Sequence, residues 1–475
     1  MKKKNKKAVP AYAPQIKTVK QVRAMLKTTK DGIVMNTLQN YVTILQHDPK
    51  LYDTIHLNEM SGRVHITRDL GWARDENGPL TDTNVNNIRF YMDRTYGISA
   101  EKQVVSAIDI VANEKRYHPI RDMLFPPLWD GKERIRYVLH HFLGAEVNDF
   151  NYECMKLFLM GGVARIFYPG CKFDYMLCLI GDQGAGKSTF FRKLALRDEW
   201  FTDDIKRLDD ENVYRRLEGH FIIEMPEMSA IANTRTIEET KAFISRSKDT
   251  YKVPYDRFPK DRPRQCIFGG SSNRVSFLPL DRSGNRRFLP ILIDMSKAEV
   301  HILEDEAESE CYIRQLWFEA MNIYFLHKPP LKLPREYEKE LANIQRTFMP
   351  EDDRLGMMIG FLERTTAATV CSRMLYKEAF DRNDEPNKRD LQEINEIMNA
   401  GIASKEIVGW RSLISPCASA STAHSGAGSV SQMTLDSPRY SVNYLRVYLM
   451  ISLSPSKPKG LFLCYCNCYK HQKRF

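Results

Sequence analysis

The sequence contains no apolar run long enough to cross a membrane. A late run, YLRVYLMISL, is too short to span a bilayer and includes Arg446. The lysine-rich N-terminus resembles the start of a signal peptide, but no apolar segment of adequate length follows it. We therefore expect a cytoplasmic protein that is neither secreted nor inserted in a membrane.

The ten cysteines show neither the paired spacing of a common zinc site nor a dense disulfide framework. They are scattered over 475 residues, and several, such as Cys178 and Cys266, lie in apolar runs. This pattern predicts reduced and mostly buried thiols, which agrees with a cytoplasmic location.

Acidic residues are missing from the first 30 positions, which contain ten Lys or Arg. Residues 403–475 contain nine basic and two acidic residues. The two ends together account for more than the net charge of +10, and residues 31–402 have a net charge of −7. A contact with nucleic acid in this central part therefore requires a local basic cluster.

Changes in composition divide the chain into five segments. We predict a flexible basic arm (1–45), an α-rich N-terminal domain with a β-hairpin at Ser61-Gly62 (46–148), an α/β domain (149–330), a helical or winged-helix-like region (345–410) and a Ser/Ala/Gly-rich tail that is unfolded or reflects an altered reading frame (411–475). In the α/β domain, apolar runs predict strands within 175–181, 220–225, 265–272 and 286–293.

The stretch CLIGDQGAGKSTFFRKL carries the strongest signal in the chain. Gly181, Gly186, Lys187 and Ser188 match the P-loop pattern G-x-x-x-x-G-K-[ST] between an apolar strand and a helix. Such a loop wraps phosphates with backbone N–H groups, while the lysine reaches the outer phosphates and the serine ligates magnesium. We therefore predict that ATP and Mg²⁺ bind at the following residues: Gly181, Asp182, Gln183, Gly184, Ala185, Gly186, Lys187, Ser188 and Thr189.

Hydrolysis requires carboxylates at the end of a neighbouring strand. The segment HFIIEMPEM supplies Glu224 at the end of an apolar run and Glu227 just after Pro226. We assign Glu224 to the metal and Glu227 to the attacking water, although the two roles are interchangeable on sequence grounds.

Further candidates lie at the end of the third apolar run and at the start of the fourth. Asn273, after QCIFGGSS, could hold the lytic water against the γ-phosphate, or be a simple turn residue. Arg286 and Arg287 follow a Gly-Asn turn, where they either face solvent or act as an arginine finger in a neighbouring subunit. The second use would make the protein an oligomer.

A basic segment with interleaved aromatic residues lies between Glu227 and Asn273. Cations on phosphates and rings against bases suit single-stranded nucleic acid, although charge runs are commonly solvated faces. The predicted DNA contacts are Lys241, Arg246, Lys248, Lys252, Tyr255 and Arg257.

Several blocks of residues 50–400, including GGVARIFYPGCKFDYMLCLIGDQGAGKST, FIIEMPEMSA and SGNRRFLPI, resemble the virulence-associated protein E family of phage, prophage and plasmid P-loop ATPases. This family is related to AAA+ and superfamily 3 helicases. The resemblance implies an AAA+-like core in a bacterial host, Glu224 and Glu227 as the acidic motif, Asn273 as the sensor and Arg286 or Arg287 as the finger. It also implies DNA contact by 241–257 in the pore of a ring, such as a hexamer, with a primase or other replication proteins as partners.

The leading hypothesis is therefore an oligomeric, single-stranded-DNA-dependent ATPase that acts as a replicative helicase or helicase loader of a mobile element. The alternative is a DNA-binding regulator that uses ATP as an assembly switch and does not unwind DNA. A small-molecule P-loop kinase is a third interpretation, which the basic segment disfavours.

Overall fold

The computed structural model describes residues 17–72, 78–205, 213–231, 234–251, 259–278, 285–413 and 432–435. The chain divides into two compact units, Met1–Pro350 and Glu351–Phe475. It is a mixed α/β protein with a parallel sheet and many helices, which confirms the predicted α/β class. Among the described residues, no helix has the length and apolar character needed to span a membrane.

The first unit begins with helices packed beside a small sheet. Its elements are α1 (Val19–Met25), α2 (Leu38–His47), β1 (Ile55–Asn58), β2 (Arg63–Ile66), β3 (Gly78–Pro79), α3 (Asp82–Tyr96), α4 (Glu101–Glu114) and β4 (Arg116–Tyr117). Strands β1 and β2 pair antiparallel, and β1 also pairs in parallel with β4. Apolar side chains of the helices and of β1 and β2 share one buried cluster, which holds this layer together.

The rest of the first unit is built around a five-stranded sheet. Its elements are α5 (Pro119–Leu124), α6 (Val138–Leu143), α7 (Asp149–Phe167), β5 (Met176–Ile180), α8 (Lys187–Leu194), β6 (Phe201–Thr202), α9 (Val213–Arg216), β7 (Ile222–Met225), α10 (Thr234–Ile244), β8 (Lys248–Tyr251), β9 (Lys260–Pro263), β10 (Ile267–Ser272), β11 (Phe288–Leu292), α11 (Glu306–His327) and α12 (Glu338–Thr347). Short 3-10 helices lie at Asp198–Trp200, Pro226–Ile231, Met295–Lys297 and Arg335–Tyr337.

All five strands of the sheet run parallel, in the order β11-β5-β10-β7-β6. Strands β5 and β7 are buried along their whole length, which explains why their residues are apolar with the exception of Glu224 in β7. The four apolar runs predicted as strands form β5, β7, β10 and β11. Strand β6 has only two residues and gave no recognisable pattern in the sequence.

Helices α7 and α11 form the layer that supports this sheet. Helix α7 packs against β5 and β10, and α11 packs against α7. Trp317 of α11 is fully buried, and its indole N–H donates a 2.9 Å hydrogen bond to the carbonyl of Leu194, the last residue of α8. Since Phe190 and Phe191 are also buried, α8 is fixed firmly to the core.

Strands β8 and β9 form an antiparallel hairpin between α10 and β10. At its base, Nε and Nη2 of Arg264 donate to the two carboxylate oxygens of Asp249 at 2.7 and 2.9 Å. Both residues are buried, and the guanidinium also lies 4.5 Å from the centre of the Phe243 ring. This ion pair therefore fixes the base of the hairpin against the core.

The second unit combines helices with a three-stranded antiparallel sheet of order β12-β14-β13. Its elements are α13 (Asp353–Arg364), β12 (Thr369–Cys371), α14 (Ser372–Met374), a π-helical turn (Leu375–Ala379), α15 (Lys388–Ser404), β13 (Trp410–Leu413) and β14 (Gln432–Leu435). Buried residues such as Met358, Ile397 and Trp410 give it a core of its own. The arrangement is compatible with the winged-helix interpretation, which stays a prediction. Within the segment predicted as a tail, 414–431 and 436–475 lie outside the described residues.

Replacing Asp249 by Asn should destabilise the first unit by about 3 to 5 kcal/mol, because Arg264 would retain a buried charge without a carboxylate partner. Urea unfolding followed by circular dichroism measures this loss. Asp261→Asn is the matched control, since it breaks the ion pair of the same hairpin between Lys248 and Asp261, whose partners are both exposed. Equal losses in the two variants would contradict the argument from burial.

Candidate nucleotide-binding site

The glycine-rich loop (residues 181–189) joins β5 to α8 at the carboxyl end of the parallel sheet. Gly184 and Gly186 have φ angles of 81° and 71°, in the left-handed region that strongly favours glycine. Gly186 is also the N-cap residue of α8, so the unpaired N–H groups of the first helical turn belong to this loop. Asp182 and Gln183 are exposed, which leaves the curve of the loop accessible to a ligand.

The side chain of Lys187 lies buried against its own loop. Its Nζ donates hydrogen bonds to the backbone oxygens of Gly181 at 2.7 Å and Asp182 at 2.6 Å. Burial lowers the pKa of this amine. Two neutral acceptors thus hold the ammonium group inside the loop. Phosphate oxygens are charged and therefore stronger acceptors, so they can replace these carbonyls. Ala185 is buried and Thr189 half-buried in the same loop.

Side chains from three elements meet at Glu224 of β7. This residue is 0% exposed, and its Oε1 accepts hydrogen bonds from the hydroxyl of Ser188 at 2.7 Å and from that of Ser271 at 2.6 Å. Ser188 belongs to the first turn of α8, and Ser271 belongs to β10. Burial raises the pKa of the Glu224 carboxyl, and the two hydroxyls oppose that rise.

The second carboxylate oxygen of Glu224, Oε2, is buried and has no hydrogen-bond partner within the described residues. Burying an unpartnered oxygen is costly unless a cation or water compensates it. The Ser188 hydroxyl donates its hydrogen bond to Oε1, so the lone pairs of its own oxygen remain available to a cation. A hydroxyl and a carboxylate beside a phosphate-binding loop suit Mg²⁺, which prefers oxygen ligands and commonly completes its shell with substrate phosphates and water. The residues present therefore fit the predicted magnesium ion.

Glu227 lies in the strained turn after β7. Its φ is 54° and that of Met228 is 46°, an unfavourable region for both residues. Met228 is buried, and a Cβ added at Gly270 would lie only 2.1 Å from its Sδ, so this side chain is wedged closely against β10. Glu227 is exposed. Tight packing of Met228 thus holds the strained turn, and leaves the neighbouring carboxylate free to meet a ligand.

Asn273 directly follows β10 and is exposed. The residue before it, Ser272, accepts a 3.1 Å backbone hydrogen bond from the N–H of Gly181. Asn273 is therefore one residue from a direct backbone contact with the glycine-rich loop.

Arg286 and Arg287 lie at the amino-terminal end of the parallel strands, whereas the glycine-rich loop lies at the carboxyl end. They precede β11, which pairs in parallel with β5 in the register Phe288 to Met176. The five residues of β5 span about 16 Å, so neither arginine lies beside the loop of its own chain. Arg287 donates from Nε to the Ser245 hydroxyl at 2.9 Å, whereas Arg286 is exposed.

The predicted DNA contacts fall into three groups. Lys241 of α10 is only 3% exposed and pairs with Glu238, so we leave it out of any proposed interface. Arg246 and Lys248 are exposed; Lys248 is the first residue of β8, and Arg246 lies two residues before it. The other three, Lys252, Tyr255 and Arg257, lie outside the described residues.

Two residues of this site were missed in the sequence. Ser271 had a partial signal, because it lies within a predicted strand and close to its carboxyl end, but its contact with Glu224 depends on the strand register. Asp203 had none, because it follows the two-residue strand β6. Strand β6 pairs with β7 in the register Thr202 to Ile223, which places Asp203 next to Glu224, and its charge further raises the pKa of Glu224.

Residues 124–350, which include the glycine-rich loop and the whole parallel sheet, match the model of the virulence-associated protein E-like domain. This part of the chain is a virulence-associated protein E-like domain. The finding confirms the resemblance drawn from the sequence, over a shorter range than 50–400.

Solved structures and curated proteins were also compared. Two chains from apo A-form structures of the NrS-1 C-terminal region, one of them covering residues 305–718, share 12% and 14% identity with this chain. Each aligns with a TM-score of 0.44 over 80% of this chain and 96% of the other. No curated protein matches the chain.

The buried carboxyl of Glu224 predicts a pH-dependent stability. Since its pKa is raised above the ordinary value of 4.5, the folded state binds this proton more tightly than the unfolded chain does. The contribution to stability is therefore fully present at low pH and is lost as the pH rises through the raised pKa. Glu224→Gln should then raise the free energy of unfolding at pH 8 by on the order of 1 kcal/mol without nucleotide or Mg²⁺, with a smaller gain near pH 4.

Urea unfolding at the two pH values tests this expectation. Glu227→Gln is the control, because it makes the same substitution at an exposed carboxylate. A less stable Glu224→Gln protein at pH 8 would refute the expectation.

Proposed function

We propose that this chain is an AAA+-like P-loop ATPase that hydrolyses ATP on single-stranded DNA and acts as a helicase-like motor in the replication of a phage or mobile element. The observation that carries the proposal is the meeting of Lys187, Ser188 and Glu224 at the carboxyl end of a parallel sheet. That end is where open α/β sheets bind their ligands.

ATP binding would use the glycine-rich loop as a cradle. The backbone N–H groups around Gly184 and at the start of α8 would donate to the phosphates, where the helix dipole also favours negative charge. Lys187 would exchange its two carbonyl acceptors for β- and γ-phosphate oxygens. When bound with ATP, Mg²⁺ would neutralise charge that develops on these phosphates. Ser188 and Glu224 would hold it, while the Ser188 hydroxyl would keep donating its hydrogen bond to Oε1 of Glu224.

Hydrolysis would use the two polar side chains that flank this centre. Glu224 is already engaged by two hydroxyls in the buried position, which suits the metal side. Glu227 is exposed on the strained turn, so it is the better candidate to take the proton of the attacking water. Asn273 would orient that water from the end of β10.

Assembly would complete the site. Because Arg286 precedes β11, at the end of the strands away from the loop, it would reach a γ-phosphate only in a neighbouring copy of the chain. We therefore propose a homo-oligomer, with a ring as the arrangement in which every site receives an arginine.

DNA contact would come from the β8–β9 hairpin. One helix, α10, separates this hairpin in the chain from the 3-10 segment that contains Glu227. Exposed Lys248 begins its first strand, and exposed Arg246 lies two residues before that strand.

One experiment tests the whole proposal: ATP turnover with and without single-stranded DNA, followed by strand displacement on a forked duplex. We expect faster turnover with DNA, and displacement. Stimulated turnover without displacement would favour the ATP-driven assembly switch. The absence of hydrolysis under all conditions would reject the proposal.

Lys187→Ala should lower ATP turnover to background and weaken ATP binding by at least about tenfold, because no other cation of the loop replaces the ammonium group. Turnover assays and calorimetry measure the two effects. Lys172→Ala removes an exposed lysine outside the loop and should leave both unchanged. Unaltered turnover in Lys187→Ala would reject the site.

Lys248 offers a two-sided test of DNA contact. Its Nζ lies 2.5 Å from Oδ2 of Asp261, so the carboxylate competes with a DNA phosphate for the lysine. Lys248→Ala should weaken single-stranded DNA binding and reduce the salt slope by roughly one, whereas Asp261→Asn should strengthen binding. Fluorescence anisotropy at several salt concentrations measures both, with Lys339→Ala as the control for an exposed lysine elsewhere. Equal affinities in all variants would exclude this face of the hairpin.

A further inference from the structure

We infer that Ser271 is a positioning residue of the magnesium site, which holds the carboxylate of Glu224 in the orientation that receives the metal. This inference rests on the proposed ATPase function and adds a residue to it. Ser271 does not itself need to contact nucleotide or metal.

The geometry of the two serines supports this role. Both hydroxyls donate to the same atom, Oε1 of Glu224, at 2.6 Å from Ser271 and 2.7 Å from Ser188. Among the described residues, Oε2 is thereby left without a hydrogen-bond partner. A carboxylate anchored through one oxygen has the other oriented before a cation arrives, and such support from the surrounding shell strengthens metal binding.

The register of the sheet explains why Ser271 can do this. Strands β10 and β7 pair in parallel with Gly269 opposite Glu224. Side chains alternate between the two faces of a strand. Ser271 lies two residues after Gly269 and therefore on the same face of β10 as Gly269, which is the residue opposite Glu224. It is therefore the diagonal neighbour of Glu224, within the reach of a short side chain.

Ser272, in the same strand, has a hydroxyl whose hydrogen bonds are local in sequence. It is also buried, but its hydroxyl donates to the carbonyl of Arg274 at 2.9 Å and accepts from the N–H of the same residue at 3.0 Å. That pair of bonds shapes the turn that follows β10. Ser272 is thus a matched control that differs from Ser271 in the partner of its hydroxyl.

The test is binding of Mn²⁺, a paramagnetic substitute for Mg²⁺, to the full-length protein with ADP, measured from the electron paramagnetic resonance signal of the free ion. Ser271→Ala should weaken Mn²⁺ binding by about tenfold, while ADP affinity without metal stays unchanged. Ser272→Ala should retain wild-type Mn²⁺ affinity, and Ser271→Thr, which restores the hydroxyl, should recover most of the loss.

A pH series adds a readout that general destabilisation would not give. The Ser271 hydroxyl lowers the pKa of Glu224 by stabilising the carboxylate. Its removal should therefore shift the acidic limb of Mn²⁺ binding to higher pH. If Ser271→Ala does not fold, Ser271→Cys, which is similar in shape but a weak donor, takes its place with the same expectation.

The outcomes separate this inference from the proposed function. If the wild-type protein hydrolyses ATP, and Ser271→Ala and Ser272→Ala bind Mn²⁺ with equal affinity, the role of Ser271 is overturned and the ATPase proposal stands. Absence of nucleotide-dependent Mn²⁺ binding in the wild-type protein would overturn both.

Discussion

The parallel register of β5, β10 and β7 is the constraint on which the candidate site depends. Ser272 pairs with Ile180 and Gly269 pairs with Glu224, so the carboxyl ends of the three strands lie at one edge of the sheet. Groups that are distant in sequence, at 188, 224 and 271, thereby come within hydrogen-bond distance. A register shift of one residue in β7 would turn Glu224 to the other face and disconnect it from both serines.

This arrangement destabilises the folded state at the candidate site itself. Glu224 is fully buried, and one of its oxygens has no hydrogen-bond partner in the part of the chain that the structure describes. Glu227 and Met228 occupy strained backbone conformations three and four residues later. Such features persist only where the surrounding packing is strong. Here that packing comes from β5 and β7 themselves, from Met228 against β10, and from α7 and α11 behind the sheet.

The sequence was informative where the physical signal is local. Continuous apolar runs predicted four of the five parallel strands, and the glycine pattern located the loop, since both follow from neighbouring residues. Strand β6 was missed because two residues carry no periodicity, and Asp203 was missed with it. The burial of Lys241 could not be foreseen either, because a lysine in a basic segment resembles an exposed one until the helix packs. Ser271 depended on a strand register that a single sequence does not specify.

The position of Arg286 adds a constraint on assembly. Strand β11 runs parallel to β5, so a residue before β11 and a loop after β5 are separated by the full length of a strand, about 16 Å. Closing that distance within one chain would require the edge strand to leave the sheet. If Arg286 acts on a phosphate at all, the phosphate must therefore belong to another copy of the chain. The rate of ATP turnover per chain would then depend on protein concentration. That dependence would follow from the parallel direction of β11 alone.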